Sequence, residues 1–172
     1  MGSQDEDVTA RLIGGPYDTS GSTVLYGSFN LTCIGLPRNT PQGNPDIFAH
    51  LSGVVAGDLR GRVLISTNNV TPGFFRLGVA NGGVISSLAN VAHYPVDLSL
   101  DTLYQVVVGY DVAAGSSRLW VNPASGGAPV SAIDTPGPIA INAFGLRQSG
   151  GIGDMRIDSV LVGLSFEAVT PN

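Results

Sequence analysis

Six arginines stand where they could do chemistry. Arg60, Arg62, Arg76, Arg118, Arg147 and Arg156 all fall in or beside runs of β-branched and aromatic residues, whereas most aspartates fall between such runs. In an extended chain alternate side chains share a face. Arg60 and Arg62 therefore point the same way, as do Arg118, Trp120 and Asn122, and Tyr26, Ser28 and Asn30 form a further polar stripe. Sugar recognition uses such a surface, with aromatic rings against C–H faces and planar guanidinium donors for hydroxyls and carboxylates. Tyr26, Asn30, Arg62, Arg76, Arg118 and Trp120 are the candidate ligand-binding set, for a glycan or another extracellular polymer, anionic if the arginines meet carboxylates. A second reading stays open, in which Trp120 anchors the core and the arginines pair with aspartates at strand edges.

Other chemistries find less support. There is no Gly-x-Ser-x-Gly elbow, phosphate loop or dinucleotide fingerprint. Cys33 is the single cysteine, which excludes an intrachain disulfide or a cysteine-built zinc site, and its alternating apolar run reads as a core thiol. Loop oxygens suited to a hard cation come from Asp97, Asp101, Asp111, Asp134 and Asp154, with Asn81 or Asn122. One structural Ca²⁺ drawing on Asp101, Asp111 and Asp154 is the cofactor expectation, against the ordinary role of aspartate in turns.

All eight cations of the 172 residues are arginine, and against 13 Asp+Glu they leave a net charge of −5. Without a basic tract the chain does not read as a nucleic-acid binder. No run reaches the ~18 apolar residues of a membrane span, so no membrane insertion is expected. The Met1-Gly2-Ser3 opening reads as an added start, with any export signal of a secreted or cell-surface protein lying before it.

Positioning these residues falls to short extended runs, because no helix-period stretch is present. Residues 24–34 alternate, with Leu25, Phe29, Leu31 and Cys33 on one face and Tyr26, Ser28, Asn30 and Thr32 on the other. Similar runs occupy 46–52, 59–67, 73–80, 103–111, 116–122, 140–148 and 154–168, separated by breakers such as Pro41-Gln42-Gly43-Asn44-Pro45, Asn81-Gly82-Gly83 and Ser125-Gly126-Gly127. Eight or more strands at this spacing predict an all-β antiparallel sandwich or jelly roll. The organisation expected is an acidic flexible tail over 1–10 and one domain over 11–172.

The hairpin from Gln105-Val106-Val107-Val108-Gly109-Tyr110-Asp111 through Ala113-Ala114-Gly115-Ser116 to Arg118-Leu119-Trp120-Val121-Asn122 resembles the central hairpin of laminin-G-like domains in the concanavalin A-like lectin superfamily. Ala143-Phe144-Gly145-Leu146-Arg147, followed by Gly153-Asp154-Met155-Arg156-Ile157-Asp158-Ser159-Val160-Leu161-Val162-Gly163, resembles that superfamily's closing hairpin and the ends of bacterial surface and secreted modules. The resemblance implies a concanavalin A-like jelly roll. Its glycoside hydrolases carry paired carboxylates on one strand, and here the two glutamates, Glu6 and Glu167, lie at opposite ends of the chain. Its polysaccharide lyases use His, Tyr, Arg and Gln on the concave sheet, and His50, Tyr104, Arg62, Arg76 and Gln105 supply those types without the lyases' motifs. The expectation is therefore a non-catalytic, lectin-like extracellular module. The alternative is a self-associating packing module of a surface layer or filament, with a divergent lyase third. The absence of lysine fits the alternative, because lysine commonly guards edge strands against pairing.

Overall fold

A computed structural model describes residues 7–38, 45–82, 88–123 and 128–170. The breaker residues at 41–44, 83 and 125–127 and the opening residues Gln4, Asp5 and Glu6 lie outside these. Two antiparallel sheets face each other. The first runs in the order β1 (Asp7–Arg11), β11 (Ile141–Arg147), β3 (Asp46–Gly53), β4 (Leu59–Ser66), β5 (Phe74–Ala80) and β6 (Ala92–His93), with β7 (Leu98–Ser99) also on β5. The second runs β10 (Val130–Ser131), β9 (Ser116–Val121), β8 (Leu103–Asp111), β2 (Val24–Gly35) and β12 (Asp154–Gly163). A single helical turn, α1 (Phe166–Val169), follows β12. This is the all-β jelly-roll sandwich that the alternation predicts.

Period-two alternation fills the space between the sheets. From the first sheet come Leu51, Val63, Ile65, Phe75, Leu77, Val79 and Phe144, and from the second Leu25, Phe29, Leu31, Cys33, Val106, Val108, Tyr110 and Leu119. Phe29 meets Phe48 edge-on at 5.8 Å between ring centroids, in the geometry that aromatic quadrupoles favour. Cys33 is buried, and its thiol is pushed up to about 11, first by burial and then by Asp101 and Asp154, so it is an unreactive core group. The arginines point outward. Gly61 adopts φ +53° and faces the core, where a Cβ would stand 3.3 Å from Val108 and 3.4 Å from Leu51. That bulge leaves Arg60 and Arg62 together on the outer face of the first sheet.

Three features depart from the sequence reading. Residues 7–11, most of which fall in the stretch read as tail, form β1 and pair with β11 from Asp7↔Arg147 to Arg11↔Ala143. The long run at 154–168 stops as a strand at Gly163, and Ser165 caps α1 by accepting from the Ala168 amide. Trp120 is neither core nor open platform. It lies half-buried on the outer face of the second sheet, 5.0 Å from Phe166 and 6.2 Å from Tyr26 between centroids, and the tilted rings pin α1 to the sheet. The Ser28 hydroxyl completes this attachment by donating to the Val169 carbonyl at 2.6 Å in a buried setting. Ser28→Ala is expected to cost about 1 kcal/mol in a urea unfolding curve and to raise amide exchange in α1, because the Val169 carbonyl loses a buried partner.

Candidate functional site

The predicted ligand-binding set divides between two opposite surfaces. Tyr26, Asn30, Arg118 and Trp120 lie on the outer face of the second sheet, where Tyr26 pairs with Gly109 and Gly109 with Arg118. Asn30 is engaged there by Asp158, donating to Oδ1 at 3.2 Å. Arg62 and Arg76 lie on the outer face of the first sheet, beyond reach of the others. The six residues therefore do not share one face. Alternation fixes which side of its own strand a residue takes, but not which sheet the strand joins.

The aspartates proposed for calcium are also apart. Asp111 closes the β8–β9 hairpin by accepting from the Ala113 and Ala114 amides at 3.1 and 2.8 Å. Asp101 occupies a left-handed turn position (φ 54°) before β8, and Asp154 lies over Gly35 at the start of β12. Among the described residues no three carboxylates, histidines or cysteines gather as a metal would require.

The first sheet's outer face assembles a different group. His50 lies on β3 between core-facing Ala49 and Leu51, whose partners on β4 are Val63 and Arg60, so it stands opposite the Gly61-Arg62 bulge. On its other side it pairs with Gly145 of β11, which pairs with Thr9 of β1. The imidazole leans across Gly145, where a Cβ would come within 2.7 Å of Nε2 and 2.9 Å of Cε1. Asp7 and Arg147, cross-strand partners, share this face two residues further along their strands. The row from β1 to β4 thus reads Thr9, Gly145, His50, Arg62, with Asp7 and Arg147 beside it.

One flank of the row is closed by the segment 132–139. Asp134 accepts from the Asn81 and Gly82 amides at 2.6 and 2.9 Å, and Arg60 donates to the Gly137 carbonyl at 2.7 Å. Arg60 and Arg62 are each 7% exposed and His50 5%. His50 Nδ1 and Arg60 Nε are buried without a hydrogen-bond partner, although buried polar atoms normally have one. The other flank is open, since Asp7, Thr9, Arg11 and Arg147 are exposed. Farther along β5, Arg76 is bound to Asp97, which also accepts from the Thr71 amide and hydroxyl.

Burial lowers the basicity of His50; Asp7, the strongest of the nearby charges, opposes this, and Arg147 and Arg62 add to the lowering. The imidazole is therefore neutral and available as a base at neutral pH. His93 shifts the same way, through burial and Arg76. The sign of the linked stability follows. The unfolded chain takes up protons near pH 6.5 while the folded chain resists, so stability is full above that pH and declines as pH falls through the folded-state values. Urea midpoints are expected to drop between about pH 7 and pH 5, and to drop less in His50→Gln. Equal pH slopes for the two proteins would contradict this placement of His50.

Of the residues that matched lyase chemistry by type, His50, Arg62 and Arg76 share this face. Tyr104 is a core residue whose hydroxyl accepts from the Ser99 amide, and Gln105 belongs to the second sheet. Sequence reasoning missed Asp7, Thr9, Gly145 and Arg147 as members of the row. The available signal was alternation in residues 143–147, which puts Gly145 and Arg147 on one face. Strand order was needed to bring them to His50.

No protein-family model matches the chain, and no curated protein matches it significantly. Solved structures do. A family 7 alginate lyase from Zobellia galactanivorans superposes with a TM-score of 0.55 at 18% identity over 86% of this chain and 64% of that one. An alginate lyase from Pseudomonas aeruginosa gives 0.53 at 11% identity over 84% of this chain and 66% of that one. A pentraxin from Limulus polyphemus gives 0.51 at 12% identity over 82% and 64%. Further alginate lyases and a sialidase are also similar. The fold is thus a jelly-roll sandwich of the concanavalin A-like type, and the chain spans just under two thirds of the length of the two lyases measured above. The expectation of a non-catalytic lectin-like or packing module is corrected by this result, because the similar structures are mainly polysaccharide-cleaving enzymes.

Proposed function

We propose that the outer face of the first sheet binds an extracellular anionic polysaccharide, a polyuronate such as alginate, and cleaves it by β-elimination. The observation that carries this reading is His50: a buried imidazole kept neutral, with Nδ1 unpartnered, on one sheet face with Arg62 and Arg147. The similar alginate lyases support the substrate class, and the open shelf of β1 and β11 offers room for a chain beside the histidine.

The chemistry matches the groups. A uronate carboxylate raises the acidity of C5–H only when its charge is offset as the carbanion develops, and guanidinium groups do this without giving up their own protons. Neutral His50 removes the C5 proton. The C4–C5 double bond forms as the C4–O4 bond breaks, and the proton leaves with the departing O4, returned by the imidazolium. One histidine serves both steps, since none of the five tyrosines stands in the row. The Tyr17 and Tyr94 hydroxyls donate to the Ile13 and Val121 carbonyls, those of Tyr104 and Tyr110 accept backbone amides, and Tyr26 packs on Trp120.

Incubation with a panel of polyuronates and neutral polysaccharides tests the reading. The expected result is a rise in ultraviolet absorbance from unsaturated uronate ends with a polyuronate only. No rise with any polyuronate, from folded protein, would overturn it.

A further inference from the structure

The side of the sandwich bounded by the two edge strands β1 and β12 is left unfinished. Among the described residues β12 pairs with β2 alone, and none of them pairs with its other edge over residues 154–163. Edge strands are commonly guarded by lysine, proline or bulges; β12 has no lysine or proline, and its bulges, between Asp154 and Met155 and between Asp158 and Leu161, leave Met155–Asp158 between them as a regular stretch. Apolar side chains gather along this side: Val160, Leu161 and Val162 on β12, Leu164 beyond it, and Val8 on β1 are all exposed. Two cavities of about 720 and 470 Å³ open between the strands, the first reaching Met155 and Ile157 and the second Val160 and Val162.

The charges of β12 say what fits against it. Met155 and Ile157 turn inward against the core, while Asp154, Arg156 and Asp158 are exposed. Arg156 makes no hydrogen bond or ion pair among the described residues. We propose that this edge pairs antiparallel with the same edge of a second copy, about a two-fold axis through Ile157. In that register Arg156 of each copy faces Asp158 of the other, twice over, and Ile157 faces Ile157, which closes the open side with a continuous sheet of ten strands. A slip of two residues, which moves the axis to position 156 or 158, sets Arg156 on Arg156 or Asp158 on Asp158, and like charges directly opposite are destabilising. The Asn30 amide and Ser159 hydroxyl hold Asp158 in place. The pairing is isologous, so it stops at two copies. The strand that pairs, β12, contributes no residue to the His50 row, although Arg147 beside that row also lines the first cavity; the pairing does not rest on the proposed reaction.

Sedimentation velocity over a wide concentration range tests it. The native chain is expected to pass from 17.6 kDa to twice that mass as concentration rises. Arg156→Asp, a change at an exposed position, is expected to weaken the dimer about tenfold or more, because two attractive pairs become repulsive. The double variant Arg156→Asp/Asp158→Arg restores it, since the reversed charges again meet. Ile157→Cys is expected to crosslink to a covalent dimer under mild oxidation, because only the central residue faces its own copy, and buried Cys33 stays silent. A native chain that remains monomeric up to its solubility limit would overturn the proposal. So would a dimer indifferent to Arg156→Asp, or a folded double variant that neither dimerises nor crosslinks when it carries Ile157→Cys.

Discussion

His50→Gln is expected to lower polyuronate cleavage by about 10²–10⁴-fold while the protein stays folded and still binds its polymer. Glutamine nearly matches the imidazole in length and is neutral, as His50 is at neutral pH, so the buried position keeps its packing. The proton acceptor is lost. The change therefore falls on kcat and leaves KM close to that of the parent. Arg62→Met should act differently, because it removes charge that the uronate carboxylate meets both on binding and as the carbanion develops, and both constants should suffer. Initial rates of ultraviolet-absorbing product, measured across substrate concentration, check the split. An unaltered kcat in His50→Gln would remove the base from the account.

Gly145→Val is expected to cost about a hundredfold in rate without unfolding the protein. Gly145 does not hold a left-handed conformation, so a branched side chain meets no backbone strain there. What it meets is the histidine: even a Cβ stands 2.7 Å from His50 Nε2 and 3.2 Å from Thr9 Oγ1. The imidazole must swing away from the β11 shelf, and a displacement of about 1 Å at a reacting group can cost about 10²-fold. Gly137→Ala serves as the control, because nothing lies within 4 Å of a Cβ at that position. Thermal melts and rates measured on both variants check the prediction. Full activity in Gly145→Val would show that the ring's place over β11 is immaterial.

Both predictions depend on a contact between strands far apart in the chain, which marks the boundary of what the sequence could tell. The extended runs were legible almost residue by residue, because a half-buried strand imposes period-two alternation on its own side chains. The shared face of Arg60 and Arg62 was legible for the same reason. Gly61 strengthens it, since the glycine turns inward at the bulge and leaves both arginines outside. Strand order was not legible. Arg118 and Arg62 look alike in sequence, but β9 and β4 belong to different sheets, and a candidate site drawn from both could not hold together. Trp120 shows a related difficulty. Its alternation places it outward, but its contact with Phe166 depends on a four-residue helical turn too short to produce a helical period. His50 was visible as a strand histidine, and its partners were hidden because Gly145 contributes by lacking a side chain. The short strand β1 was hidden too, since Asp7-Val8-Thr9-Ala10-Arg11 is too short and polar to stand apart from the acidic residues before it.

The most direct test of the central claim is the mass of the products formed from a defined polyuronate oligomer. β-Elimination adds no water, so the two products of each cut should sum to the mass of the substrate, with one carrying an unsaturated non-reducing end, and His50→Gln should leave the oligomer intact. Products that together weigh one water more than the substrate, or an oligomer untouched by the native protein, would contradict the account.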